Sequence, residues 1–353
     1  MAYLPLSTAN LPDPIINPAQ GASPEDHFGV ALYTGNGTST EVSTLNFQPD
    51  FVWGKKRSAA GSHFLLDAIR GVNSTLSSDT TSAEDTSTDI FTSFDSDGFT
   101  VGANGQSNSN GVTYVAWNWK ANGSGVSNTD GSITSTVSAN TTSGFSIVSY
   151  TGTGANATVG HGLDSALDML IVKNRDRSAN WHVWHNALTG AQFLELSSTA
   201  AAGTDAPSWN STVPTSTVFS VGTSNATNAS GENLIAYCFH SVEGFSKFGS
   251  YVGNGSTDGP FVYTGFQVKW VMYKRTDSAG DWSILDTERS TYNVADDYLY
   301  PHSSAAEASG AYQTDFLSNG FKLRGTNTQN NASGGTYIYM AFAENPFKYS
   351  NAR

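Results

Sequence analysis

The sequence predicts an all-β protein: three tandem antiparallel β-sandwich units behind an extended N-terminal arm. Three observations lead there. An aromatic residue and a double-glycine turn recur as YTGNG at Tyr33–Gly37, YTGTG at Tyr150–Gly154 and YVGNG at Tyr251–Gly255. Apolar residues alternate with period two, as in FSIVSYTG from Phe145, and no window sustains a helical 3.6-residue pattern. The composition is 35 glycines, 12% aromatic and only 13% charged residues, which suits many short strands joined by polar turns rather than a disordered chain.

Taken in order, residues 1–26 contain Pro5, Pro12, Pro14, Pro18 and Pro24. This spacing prevents a regular helix or central strand and predicts an extended arm for docking on a partner or sister subunit. Three units follow, at 27–120, 144–245 and 246–353, with residues 121–143 (ANGSGVSNTDGSITSTVSAN at their heart) as a flexible polar linker. After its glycine turn each unit has an apolar run ending in basic residues: FQPDFVWGKKRS, ALDMLIVKNRDRSANW and FQVKWVMYKRTDSAGDW. Next come SHFLLD, NWHVWHN and DWSILD, then FDSDGFTVG, STVFSVG and LSNGFKLRG. Each unit closes on an apolar strand around one alanine, at Ala116, Ala236 and Ala341. The interval from the last turn glycine is 79, 82 and 86 residues (116 − 37, 236 − 154, 341 − 255). Such agreement is the signature of tandem repeats. The double-glycine turn reads as a hairpin in which Asn-Gly supplies positive φ. Trp117 and Trp119 lie on one strand face, so one face of each sheet is expected to form the core, leaving aromatic surface for neighbours or ligands.

The net charge of −13 excludes a nucleic-acid or anionic-membrane partner, because phosphates demand clustered Lys and Arg. No apolar run is long enough to span a bilayer, and no export signal is expected, so synthesis is placed in a cytoplasm. The single cysteine, Cys238, lies in LIAYCFH and reads as a small buried hydrophobe.

Catalytic candidates are sparse, and the chain is read as a non-enzyme with no cofactor. His182 and His185 fall three apart on a strand and so point to opposite faces, which is wrong for joint metal ligation. Asp95 and Asp97 in FDSDGF resemble half a calcium loop without its bidentate glutamate, and read better as an Asp-Gly hairpin. Asp67 and Asp286 end equivalent strands, with Asn186 as their counterpart in the second unit; a strand-end role fits them better than paired acid–base work. Lys55/Lys56/Arg57, Lys173/Arg175 and Lys274/Arg275 either grip an anionic group or pair with local carboxylates. Aromatics beside polar turns nominate Trp181, Trp184, Asn186 and Trp282 as a glycan-binding surface, since rings stack on apolar sugar faces and amides hold hydroxyls. The competing reading divides the tryptophans between core and inter-unit contacts.

The run HFGVALYTGNG…FQPDFVWGKKRSAAGSHFLLDAIRG…FDSDGFTVG…GVTYVAWNWKA resembles a tandem repeat of virion structural proteins from marine tailed bacteriophages. The likeness spans His27 to Lys348 and is clearest in the first unit. It implies lectin-like, concanavalin-type (jelly-roll) sandwiches in a virion component, made in the host cytoplasm, with other virion proteins as partners, a homo-oligomeric state and a host surface glycan as target. It carries over no catalytic residues. A tail-associated fibre or adhesin is the leading expectation; a capsid decoration protein and a polysaccharide depolymerase are the alternatives.

Overall fold

The computed structural model describes residues 10–350. Its regular structure is antiparallel sheet; the helices among the described residues are single turns of three or four residues. None is long and apolar enough to cross a membrane.

Three four-stranded sets share one strand order. Phe28–Thr34 lies beside Thr113–Trp119, followed by Phe51–Lys56 and Phe64–Asp67. In the second set, Phe145–Thr151, Asn233–Phe239, Met169–Asn174 and His182–His185 repeat that order. Ser246–Val252, Thr336–Pro346, Phe266–Arg275 and Trp282–Asp286 repeat it again. The register fixes equivalences between them: Lys55 pairs with Val115, Lys173 with Ile235 and Lys274 with Ile338. Counting from those pairs, Ala116 and Ala236 correspond to Tyr339. Ala341 lies on the equivalent strand but two residues further on. An even offset preserves the face, so all three alanines still point into the core on their own side.

Each set is covered on one face by a smaller sheet. The covers are Thr40–Val42 with Gly98–Val101 and Phe91–Asp95, Ala157–Gly160 with Val218–Val221, and Phe261–Tyr263 with Gly320–Leu323 and Thr314–Leu317. Between the layers lie separate cores, including Phe64, Phe99 and Tyr114 in the first, Trp184 and Phe219 in the second, and Phe316 and Phe321 in the third.

The opposite face of every set is buried too. Trp53, Trp117 and Trp119, then Ile171, Trp181 and Tyr237, then Trp270, Trp282 and Phe342 form one core common to all three sets. This corrects the expectation that one face of each sheet is core. Burial on both faces is why strands such as MLIVKN read as unbroken apolar runs rather than clean alternation.

Two further expectations change. Residues 121–143 are not a free linker: Val126–Asn128 and Ser135–Asn140 are strands, and the latter pairs with Phe145–Thr151 along its whole length. The Ser/Thr/Asn composition conceals a period-two pattern in which Ile133, Ser135 and Val137 are buried. Ser135 finds its partner in the Gly160 carbonyl, so burying it leaves no polar group stranded. The arm, of which residues 1–9 lie outside the described residues, packs on this chain from Leu11 onward. Ile16 is fully buried in the common core, Asn17 caps a turn at Pro18–Gln20, and Asp13 meets Lys348.

The glycine turn is a layer crossing rather than a hairpin, since the strands flanking it belong to different sheets. At its end stands a buried asparagine from a short helix. Asn108, Asn228 and Asn331 accept from Asn36, Thr153 and Asn254 backbone N–H at 2.8–2.9 Å and donate to Gly102, Gly222 and Gly325 carbonyls at 2.7–2.9 Å. A Cβ at Gly35, Gly152 or Gly253 would lie 2.2–2.3 Å from a carbonyl oxygen, and Gly37, Gly154 and Gly255 sit at φ of +68° to +76°. Both glycines of the motif are therefore required by close approach and by left-handed backbone.

Candidate functional site

The residues singled out by sequence fall mainly on the seams between the three sets. Arg57 carbonyl accepts from Glu307 N–H, Arg175 carbonyl from Glu84 and Thr276 carbonyl from Ala202. Gly61, Ala179 and Gly280 N–H donate in turn to Ser304, Thr81 and Thr199. The third set thus clasps the first, the first the second and the second the third. The ring closes head to tail within one chain.

The basic strand ends supply the charge on two of these seams. Glu84 accepts from Arg175 Nε and Nη2 at 2.9 and 2.8 Å and from Arg70 Nη1 at 3.0 Å. Burial would raise its carboxyl; Arg175 and Arg70 reverse this and hold it below the usual range. Arg70 also meets Asp67 Oδ2 at 2.6 Å, and Tyr237 hydroxyl donates to that oxygen from across the seam at 2.8 Å. The same relay recurs as Arg57–Glu307–Arg289–Asp286, with Trp117 Nε1 donating to Asp286 at 3.0 Å. Asp67 and Asp286 are fully buried and engaged in these relays.

The third seam is built differently. The register places His185, not Asn186, opposite Met169 where Asp67 faces Phe51 and Asp286 faces Trp270. Counting from it, Leu188 stands in place of Arg70 and Arg289, and Met340 in place of Tyr237 and Trp117. Without a guanidinium or a cross-seam donor, a buried carboxylate would be left uncompensated. A neutral imidazole fits: His185 Nε2 lies 3.2 Å from the Tyr339 carbonyl, and burial lowers its pKa to about 4.

Trp181 and Trp282 occupy equivalent positions on the seams, with His63 as the third member. Their ring nitrogens reach carbonyls of the preceding set around the ring: Trp181 to Ser77 at 3.0 Å, Trp282 to Glu195 at 2.9 Å, and His63 Nε2 to Tyr300 at 2.9 Å. All three side chains are essentially buried, so Trp181 and Trp282 offer no ring face to a sugar. Trp184 is likewise buried, in the second set's own core, and donates to Thr189. Asn186 is exposed and bonds Asp168 at 2.6 Å. The four nominated residues do not converge on a site. The reason is the common core, which turns what would be an open sheet face into an interior.

The other candidates also resolve into structure. His182 stacks on Phe193 at 4.6 Å and approaches Ser208, whereas His185 turns to the opposite face. Asp95 faces Gly98 across a hairpin and accepts from Thr100. Burial pushes the Cys238 thiol well up, leaving a poor nucleophile. Among the described residues no group of three or more His, Cys, Asp or Glu side chains is placed to hold a metal ion. Lys55, Lys173 and Lys274 are buried at equivalent positions with ammonium groups directed at backbone carbonyls, and burial lowers each to about 8.

What the sequence reading passed over is the outer face of the third cover sheet. Phe261 and Tyr263 alternate with buried Val262 and are 44% and 59% exposed. The signal was a period-two strand, FVY, with aromatics at both outward positions. Opposite them lie Lys322 and Gly320. Beside Tyr263 opens a cleft of about 130 Å³ whose lining includes Pro12, Phe347, Glu243 and Lys348.

No curated protein matches the chain. A family described as a domain of unknown function, DUF7483, matches residues 23–346, a span holding all three strand sets and every seam. The chain belongs to the DUF7483 family.

Proposed function

We propose that this protein is a structural component of a tailed-bacteriophage virion, a tail-associated fibre or adhesin built from three copies of one lectin-like, concanavalin-type sandwich. The observation that carries this reading is the ring of equivalent seams. Three segments with one strand order clasp each other head to tail, and Arg57 and Arg175 at the strand ends join buried Arg70 and Arg289 in doing so. That is the economy of a rigid, durable part rather than of a chemical site. Asp67 and Asp286, the paired carboxylates a depolymerase would need, are committed to buried guanidinium groups. The proline-rich arm, docked on the body from Leu11, is proposed to carry the attachment to another virion subunit.

Antibody-labelled electron microscopy of purified particles tests the proposal. Label at the tail tip or fibres is expected. Label evenly spread over the head makes the protein a capsid decoration, and absence from particles refutes the virion reading altogether.

A further inference from the structure

The outer face of strand Phe261–Tyr263 has the features of a binding platform that the fold itself does not need. The three sets supply an internal comparison. By register, buried Val262 corresponds to Val42 and Val159, and buried Phe321 to Phe99 and Phe219. The inward pair is thus kept as Val and Phe in all three covers, as packing demands. The outward pair is not: Phe261 and Tyr263 stand where the first cover has Glu41 and Ser43 and the second has Thr158 and Gly160. The first cover, with both positions exposed, folds with polar residues there and so does not require aromatics; in the second, Gly160 is itself buried beside Asn128. Adjacent exposed aromatics on one strand face, unlike apolar residues exposed singly, mark an interaction site.

Both rings also lie beside glycines. A Cβ at Gly320 would fall 3.1 Å from Phe261 Cε2, and one at Gly265 would fall 3.6–3.9 Å from the Tyr263 ring and hydroxyl. Each ring therefore has atoms lying beside a glycine, and both residues remain about half exposed. Two residues along a strand separate the rings by about 7 Å, room for neighbouring units of an extended oligosaccharide.

Polar groups flank the platform. Lys322 Nζ is held 2.8 Å from Asp258, whose side chain is 85% exposed. In the adjoining cleft Glu243 is exposed and makes no hydrogen bond or ion pair among the described residues, while Lys348 is anchored by Asp13 at 2.6 Å. Apolar ring faces with a few acceptors and donors at the edge match the C–H face and hydroxyl rim of a pyranose. The net charge of −13 disfavours polyanionic chains.

We infer that Phe261 and Tyr263 form a stacking platform for a neutral hexopyranose glycan, with the Glu243 and Lys348 cleft as its polar end. This rests on the adhesin reading and narrows it to one face of one repeat. The test is calorimetric titration of the full chain with laminarihexaose, cellohexaose and mannohexaose at millimolar concentration, with oligoguluronate as the anionic comparison. Binding of at least one neutral hexaose is expected, weakened roughly tenfold or more by Phe261→Ala/Tyr263→Ala, with the thermal midpoint unchanged because both rings lie outside the cores. The equivalent first-cover change, Glu41→Ala, should leave binding intact. No binding by any neutral hexaose overturns the inference, as does oligoguluronate binding equally well. Neutral-sugar binding that survives the double variant refutes this face while leaving the adhesin reading standing. A dimer that dissociates on the same double substitution makes the occupant a second copy of the chain and refutes a glycan.

Discussion

Replacing Asp286 by Asn isolates the buried relay that joins the third strand set to the first. The carboxylate accepts from Arg289 N–H at 2.9 Å, from Arg289 Nε at 2.6 Å and from Trp117 Nε1 at 3.0 Å, and it is fully buried. The amide keeps the volume but removes the charge, and it turns two of its own donors towards groups that are themselves donors. Arg289 has an equally buried side chain and among the described residues retains only Glu307 as an ion-pair partner, at 3.1 Å. Breaking a buried pair on one side costs about 3–5 kcal/mol, against a total stability of about 5–15 kcal/mol for a typical folded domain. Urea unfolding at neutral pH, followed by tryptophan fluorescence, reads this directly, because Trp117 sits at the seam. The midpoint should fall by about 1 M or more. The double variant Asp286→His/Arg289→Leu, which installs the chemistry of His185 and Leu188, should recover at least half of the loss, since removing both charges leaves none uncompensated. A loss below about 1 kcal/mol for Asp286→Asn, or a double variant worse than the single, would refute the account of the seam as a buried ionic clasp.

Three further outcomes follow from the same geometry. Burial, with Lys55 nearby, lowers His63 to about 3. As pH falls the unfolded chain takes up this proton first, so stability is lost from about pH 6.5 downward at up to about 1.4 kcal/mol per pH unit. His63→Gln, which can still accept from Trp53 and donate to Tyr300, should flatten that slope relative to the parent in thermal midpoints measured across the window. Gly54→Ala should destabilise by about 1–3 kcal/mol, because the added Cβ would lie 1.9 Å from the Phe64 ring in a closed core; a neutral effect in chemical denaturation would count against that packing. Asn228→Ala should cost about 2–4 kcal/mol by removing two donated bonds and one accepted bond at the glycine turn, and amide exchange should rise first at Thr153 and Gly154.

The sequence by itself determined the local elements. Period-two runs, positive-φ glycines and the threefold recurrence of turn, basic strand end and closing strand were legible, because β pattern and turn chemistry are short-range properties of the chain. The pairing of Ser135–Asn140 was hidden by its composition, since buried hydroxyls bonded to carbonyls look the same in sequence as solvated ones. The tertiary structure alone decided which aromatics are surface. Trp181 and Trp282 read like exposed stacking residues only while each sheet is imagined with one dry face; a common core buries the second face, and both become seam donors. Phe261 and Tyr263 remain about half exposed because their strand belongs to a cover layer that no further sheet covers among the described residues. The exchange of Asp67 for His185 was equally invisible, because its cause is the absence of an arginine and a cross-seam donor that only folding brings within reach. Burial is a property of the assembled layers, and a strand carries no local mark of how many of its faces will be dry.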